Sequence, residues 1–209
     1  MRSDEQAPDY AAPAPESALA KVAAALQAHN IATHVVDRGA DARRLVAELV
    51  PEGAEVYSAK SKTLQDVGVF REIFESGRYE SVRDRYMKMD RQTQGREIRK
   101  LMAAPDYMLG SVQALTESGD LVVASASSSQ LGPYASGAGR LILVVGAQKI
   151  VRDLDEALRR VEQHVLPYEE ALVREQMNIS TFIGKLLIIR REWLDGRTTV
   201  ILVREPVGV

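Results

Sequence analysis

The sequence contains no cysteine, and this absence excludes several kinds of chemistry. Without thiols the chain forms no disulfide, has no thiolate nucleophile and holds no cysteine-ligated iron–sulfur cluster of its own. Long apolar runs are also lacking, since none approaches the ~20 residues that a transmembrane helix needs. We therefore expect no membrane insertion.

An excess of charge of either sign is lacking as well. The 27 basic and 29 acidic residues leave a formal net charge of −2, whereas a nucleic-acid-binding domain usually has a strongly basic face. The first residues, MRSDEQAPDYAAPAPES, carry acids where a signal peptide needs positive charge, and no apolar region follows. These features predict a cytoplasmic protein that binds no nucleic acid.

Histidine is scarce, which limits metal chemistry. His29, His34 and His164 have no spacing typical of metal ligands, so no metal site is predicted. The glycines fit neither a Walker loop nor a dinucleotide fingerprint, and no cofactor is indicated.

The organisation that is present favours one α/β domain. Residues 1–16 are rich in Ala, Pro and acids and have no hydrophobic period, which predicts a disordered leader before a single domain over residues 17–209. Strands are expected at residues 31–36, 55–57, 120–125 and 141–145, and helical patterns lie between them. The helices are expected near residues 17–26, 41–50, 63–76, 83–102, 153–165 and 169–177. A Thr63/Asp66 capping box is expected to start the third of these helices.

The alternation of strands and helices predicts a Rossmann-like fold with a largely parallel sheet flanked by helices. The runs at 121–125 and 141–145 lack polar alternation, as in strands covered on both faces, so we expect them in one parallel sheet joined by a crossover at residues 126–140. At the C-terminus, Asp195-Gly196 between two β-rich runs predicts an antiparallel strand pair.

The crossover is the main candidate for a binding site. Its small residues would let backbone N–H groups approach an anion at the carboxyl end of a strand. Lys149 follows the next strand and shares this topological argument. The alternative is that the small residues only pack against the sheet. The predicted ligand-binding residues are Gly119, Ser125, Ser127, Ser128, Ser129, Gln130, Gly132, Tyr134 and Lys149.

Two further features each allow two interpretations. Glu117, in the sequence Thr-Glu-Ser-Gly before a strand, is either a nucleophile or base, or an exposed turn carboxylate. The stretch over residues 83–100 has seven basic and three acidic residues. It is either a solvated helix with ion pairs or an anion-attracting face near a pocket.

Part of the sequence resembles the LUD-domain family of lactate-utilisation proteins. The resemblance is carried by the stretch from PDYMLGSVQALTESGDLVVASASSSQ to VVGAQKIVRDLDEALRRVEQHVLP and by SAKSKTLQDVG before it. The resemblance implies a fold like that of the glucosamine-phosphate and ribose-phosphate isomerases and the CoA transferases. Some members of the family are accessory components of a lactate oxidation system with iron–sulfur partners. Because this chain lacks cysteine, it would be the cluster-free component.

The resemblance therefore implies an accessory or small-molecule-binding protein of organic-acid metabolism, which binds an anionic metabolite at the crossover and has iron–sulfur proteins as possible partners. An alternative is an enzyme acting on a CoA ester or phosphorylated small molecule through Glu117, and a ligand-sensing regulator is a third possibility. A homo-oligomer is compatible with each.

Overall fold

The computed structural model describes residues 8–209, and they form two sheets with helices around them. The strands, in chain order, are β1 (Ala32–Val36), β2 (Glu55–Ser58), β3 (Glu80–Ser81), β4 (Tyr107–Gly110), β5 (Ala114–Thr116), β6 (Leu121–Ser125), β7 (Arg140–Gly146), β8 (Ile150–Val151), β9 (Lys185–Ile189) and β10 (Thr198–Val203). The helices are α1 (Glu16–Ala28), α2 (Gly39–Leu49), α3 (Lys62–Asp66), α4 (Val69–Glu75), α5 (Val82–Met87), α6 (Gly95–Ala103), α7 (Leu154–Arg160) and α8 (Leu166–Met177).

The main sheet has six strands in the order β1-β10-β7-β4-β2-β3, and every neighbouring pair is parallel. This confirms the predicted α/β, Rossmann-like class. The second sheet has the order β8-β5-β6-β9, in which β5 and β8 are parallel and the other two pairs are antiparallel.

Both faces of the main sheet are buried, each in its own core. Successive side chains of a strand point to opposite faces, so each strand contributes to both cores. On β7, Leu141 and Leu143 face a core shared with α1, α6 and the second sheet. Ile142 and Val144 face the opposite core, which α2, α3 and α4 cover. The far face of the second sheet packs on α7 through Val122 and Ala157.

The second sheet explains why one strand pairing was wrongly predicted. Residues 121–125 form β6 and residues 140–146 form β7, but these strands belong to different sheets. β6 is covered on both faces because it lies between the main sheet and α7, with Leu121 and Val122 in opposite cores. Burial on both faces therefore does not require parallel neighbours, and residues 126–139 connect two sheets.

The antiparallel C-terminal pair also needs correction. β9 pairs antiparallel with β6, whereas β10 inserts in parallel between β1 and β7. A turn does form at Gly196, whose φ is +65°. The chain between the two strands nevertheless passes from one sheet to the other, and on the way Glu192 donates its N–H to the carbonyl of His29.

Two helix predictions change in detail. The expected helix over residues 63–76 is divided into α3 and α4 by Gly68, whose φ of +80° ends the first helical turn. Ser61, and not Thr63, caps α3 by accepting the N–H of Leu64. The charged stretch forms two helices, α5 and α6, with Ile98 buried.

The N-terminal segment contacts the domain before α1 begins. Residues 1–7 of the predicted leader lie outside the described residues. Tyr10 lies with its ring centroid 5.8 Å from that of His164, and Ala14 donates its N–H to the carbonyl of Ala147. The division into a leader and one domain over 17–209 stays a prediction. No helix in the described part of the chain has the length and apolar character needed to cross a bilayer.

A buried arginine fixes the connection between the sheets. Arg197 donates to the carbonyls of Pro133 and Tyr134 at 2.9 and 3.1 Å, to that of Ala138 at 3.2 Å, and to Glu192 at 2.8 Å. Both members of this ion pair are less than a tenth exposed.

We expect Arg197→Met to lower the free energy of unfolding by about 3–5 kcal/mol, because Glu192 would be left as a buried, uncompensated charge. Adding Glu192→Gln should restore part of the loss. Arg190→Met removes an exposed arginine 3.9 Å from Asp120 and should change stability by less than about 1 kcal/mol. Urea unfolding of the variants measures these differences, and equal effects at 190 and 197 would contradict this role of Arg197.

Candidate functional site

The candidate site lies at the edge of the main sheet where three parallel strands end. β2 ends at Ser58, β4 at Gly110 and β7 at Gly146. One cavity is lined by residues 59–63 and 111–113, which follow β2 and β4, and by Lys149, which follows β7. Ligands of open parallel sheets bind at this edge because loops diverge there and leave a crevice.

The serine loop (residues 125–130) lines a second cavity beside this one, and its Gln130 lines both. Ser125 Oγ accepts the N–H of Ser128 at 2.9 Å and donates to Gln130 Oε1 at 3.0 Å, so the loop is held by its own side chains. Ser128 has a φ of +64°, a left-handed conformation that is uncommon outside glycine. Its Oγ is buried without a hydrogen-bond partner. Such strain is found most often at binding sites and switches.

The rest of the Ser/Gly segment packs against the sheet, and its first residues, Gly132, Pro133 and Tyr134, also line cavities. After Gln130 the chain forms a short π-helical turn, Pro133–Gly137, whose Tyr134 is buried. The Tyr134 hydroxyl accepts the N–H of Ser111 and donates to its carbonyl, at 3.1 and 3.2 Å. A Cβ at Gly110 would lie 1.5 Å from this hydroxyl, so only glycine permits the contact. Burial raises the pKa of Tyr134 far above its usual value.

Lys149 is the most unusual ionisable group of the site. It is only 3% exposed. Its Nζ lies 2.8 Å from Thr63 Oγ1 and 3.2 Å from both Ser111 Oγ and the carbonyl of Val112. No carboxylate of the described residues lies within ion-pair distance of it. Burial, with a smaller effect from the nearby Arg160, lowers the pKa of Lys149 to about 7.

Three neighbouring cavities open along this edge. The smallest, about 60 Å³, lies at Lys149. A second, about 230 Å³, runs along the serine loop, and a third, about 840 Å³, lies between that loop and α6. All three are lined by Ala59 and Lys60, so they are adjacent, and we refer to them together as the cleft.

Basic side chains outnumber acidic ones in the cleft, although Lys62 also pairs with Asp66. Of the described residues that line it, six carry a basic side chain and one, Glu169, carries an acidic side chain. The basic residues are Lys60, Lys62, Arg83, Arg91, Arg99 and Lys149. Low-dielectric walls lined by one sign of charge concentrate the field in a cleft and attract the opposite charge.

Beneath the cleft lies another cation without a carboxylate partner among the described residues. Arg160 is fully buried and donates to the carbonyls of Gln113 and Tyr10. Burial lowers the pKa of its guanidinium to about 10. Within residues 8–209 no group of three or more His, Asp or Glu side chains is placed to hold a metal ion.

The family model of the LUD domain matches residues 19–203 of this chain. The chain belongs to the LUD-domain family. No curated protein matches it. A solved structure of a DUF162 family protein from Deinococcus radiodurans is similar in fold, with 13% sequence identity, a TM-score of 0.49, and coverage of 90% of this chain and 96% of that chain.

The structure brings together most of the predicted ligand-binding residues of this LUD protein. The second cavity is lined by Ser125, Ser127, Ser129 and Gln130, and the third by Ser127, Ser128, Ser129 and Gly132. Gln130, Tyr134 and Lys149 line the smallest cavity. Their role in binding stays a prediction.

Glu117 and Gly119 lie elsewhere. They form the turn between β5 and β6, where Gly119 has a φ of +88°. Ser125 is at the other end of β6. At about 3.3 Å per residue, the strand from Leu121 to Ser125 is about 13 Å long. Glu117 accepts from Lys21 at 2.7 Å. Neither residue lines the cleft.

Other cleft residues were not predicted to bind a ligand. Thr63, Ser111 and Gln113 follow β2 and β4, and β4 was not expected as a strand. The short apolar run Tyr107–Gly110, followed by polar residues, was the available signal. For residues 83–100 both interpretations apply: Arg85 forms an ion pair with Glu55, whereas Arg91 and Arg99 line the cleft.

We expect Glu117→Gln to have little effect on stability, within about 1 kcal/mol, because exposed ion pairs contribute little. Binding of anions in the cleft should be unchanged, since Glu117 is distant from it. Urea unfolding and calorimetric titration check both points. A large loss of binding or of turnover in this variant, with stability retained, would support the catalytic role predicted from the sequence.

Lys149→Met should change the pH dependence of stability. The unfolded chain keeps the Lys149 proton up to about pH 10.5, whereas the folded protein releases it near pH 7. Between these values the unfolded state binds more protons, so this lysine makes wild-type stability rise with pH. The wild type should gain on the order of a few kcal/mol relative to the variant across this window. If the free energy of unfolding depends on pH in the same way in the wild type and the variant, Lys149 has an ordinary pKa in the folded protein.

Proposed function

We propose that this LUD protein binds an anionic small molecule in the cleft at the carboxyl edge of its parallel sheet. The observation that carries the proposal is the excess of basic side chains in the cleft, in a chain whose overall charge is −2. Because acidic residues outnumber basic ones over the chain as a whole, this excess is local to the cleft.

The shape of the cleft supports a metabolite. Ligand pockets are typically 300–1,000 Å³ and are lined by apolar surface with a few polar groups that orient the ligand. The largest cavity falls within this range. It has apolar lining from Tyr57, Ile98 and Met102, next to the serine loop. A phosphate- or carboxylate-bearing molecule fits this combination.

Family membership supports a role in organic-acid metabolism. On this proposal the chain is an accessory, cluster-free component of a lactate-type system, and iron–sulfur proteins would supply the redox centres that a chain without cysteine lacks. Co-purification of iron–sulfur proteins with the tagged chain tests this part separately from ligand binding.

A thermal-shift screen with CoA, acyl-CoAs, phosphosugars, nucleotides and lactate tests ligand binding directly. A ligand present at a hundredfold its Kd adds about 2.7 kcal/mol to the stability of the folded state. For a chain of this size the midpoint should rise by roughly 5–10 °C. If none of these compounds raises the midpoint of thermal unfolding, the result would count against a metabolite site and favour a role in binding a protein partner.

Binding should depend on the cleft arginines. We expect the double variant Arg91→Gln/Arg99→Gln to weaken binding of the best anion by about tenfold or more, since each charge-assisted hydrogen bond contributes about 1.5–3 kcal/mol. The matched control is Arg71→Gln, because Arg71 is an exposed arginine on α4 outside the cleft. Calorimetric titration measures both. Equal affinities in the two variants would place the anion elsewhere.

A further inference from the structure

We propose that Lys149 is a nucleophile that condenses with the carbonyl group of a small aldehyde or 2-oxo acid bound in the cleft. This inference rests on the proposed anion site, because the basic side chains of the cleft would hold the ligand's acidic group. It adds a reaction to that site and narrows the ligand to anionic carbonyl compounds.

The surroundings of Nζ disfavour a charged ammonium. Nζ lies within hydrogen-bond distance of three neutral oxygen atoms, those of the Thr63 and Ser111 hydroxyls and the Val112 carbonyl. No carboxylate of the described residues lies within ion-pair distance to balance a charge there. Removing an ammonium from water without such a partner is unfavourable, so burial favours the uncharged amine.

The lowered pKa of about 7 agrees with this geometry, because it leaves much of the Lys149 population unprotonated near neutral pH. An ordinary lysine, with a pKa of about 10.4, is almost wholly protonated there. Desolvation in a buried pocket is one of the established ways in which proteins activate a lysine amine.

The backbone holds the amine in a defined position. Lys149 ends the short turn Ala147–Lys149, directly after β7. The neighbouring Gln148 is buried, donates to the carbonyl of Val207 at 2.9 Å and accepts its N–H at 3.3 Å. Rigid anchoring of this kind keeps Nζ at the cavity wall.

The cavity at Lys149 has room for the reacting end of a small molecule. Its volume of about 60 Å³ corresponds to roughly four water-sized positions at 10–15 Å³ each. The second cavity, about 230 Å³, shares Lys60, Gln130 and Glu169 with it and can hold the remainder of the ligand. The small size favours short carbonyl compounds near Nζ.

The reaction balances without an oxidant or reductant. The Nζ lone pair forms a bond to the carbonyl carbon while the C=O π pair moves to oxygen. A proton passes from nitrogen to that oxygen and gives a carbinolamine. A second proton on the hydroxyl allows water to leave as the C=N bond forms. Glu169, whose side chain lines the same cavity, would give and take these protons.

Reductive trapping tests the proposal. The full chain is incubated with glyoxylate, treated with borohydride, and examined by intact mass and peptide mapping. We expect one reduced adduct, on Lys149. Labelling there should exceed that of the exposed Lys21 at neutral pH, because a lysine of ordinary pKa, about 10.4, is almost wholly protonated and unreactive there. Lys149→Met should lose the adduct, and Lys21→Met should keep it.

Two further measurements separate the outcomes. Trapping on Lys149 should be half-maximal near pH 7, whereas exposed lysines react more as pH rises toward about 10.4. Oxalate, an anion with no aldehyde or ketone, should protect Lys149 and stabilise the fold.

Adducts spread over exposed lysines, or a half-maximum near the ordinary lysine pKa, would overturn the inference. If oxalate stabilises the protein but Lys149 is not labelled, the anion site stands and the nucleophile does not. If oxalate neither stabilises nor protects and no adduct forms, both proposals fail.

Discussion

The buried guanidinium of Arg197 determines how the two sheets are joined. Main-chain carbonyls in a buried turn must be paired, because an unpaired buried polar group is costly. Arg197 pairs those of Pro133, Tyr134 and Ala138 at once, and Glu192 balances its charge. The rear of the Ser/Gly segment is thereby fixed to the C-terminal chain. The front of the segment, the serine loop, is left at the cleft. The hydrogen bonds of Arg197 therefore fix one end of the segment, next to the serine loop that lines the cleft.

The cleft follows from this arrangement together with the parallel sheet. Parallel strands end at one edge, so β2, β4 and β7 place Thr63, Ser111 and Lys149 side by side although they are distant in sequence. Tyr134, packed over Gly110, joins the fixed turn to the same edge. Because the serine loop is held between this turn and β6, its strained Ser128 stays in place without any helix of its own. The sheet topology thus determines where the site lies, and the loops that follow the strands determine which side chains line it.

Local patterns in the sequence were sufficient for much of the fold but not for the pairing of strands. Apolar periodicity located α1, α2 and α7 and the strands β1, β6 and β7. It could not show that β6 lies in a second sheet, because burial on both faces looks the same whether helices or another sheet supply the cover. Lys149 was found because it follows a strand, whereas Ser111 was missed because its four-residue strand gave a weak signal. Arg99 belongs to the cleft only through the packing of α6, which no local pattern reports.

Net charge was the least informative property for the site. A value of −2 spread over the chain predicts no anionic partner, yet the cleft collects six basic side chains. Coulomb interactions are strong only over short distances in water with salt, where the Debye length is about 8–10 Å. Acidic residues on other surfaces therefore do little to cancel the field inside the cleft. Lys149 is the most buried of these basic side chains, and on our proposal the same burial that disfavours its charge leaves it an uncharged amine. An arriving anion would meet charged arginines at the wide part of the cleft and an uncharged amine at the narrow end, which is the order that binding before condensation requires.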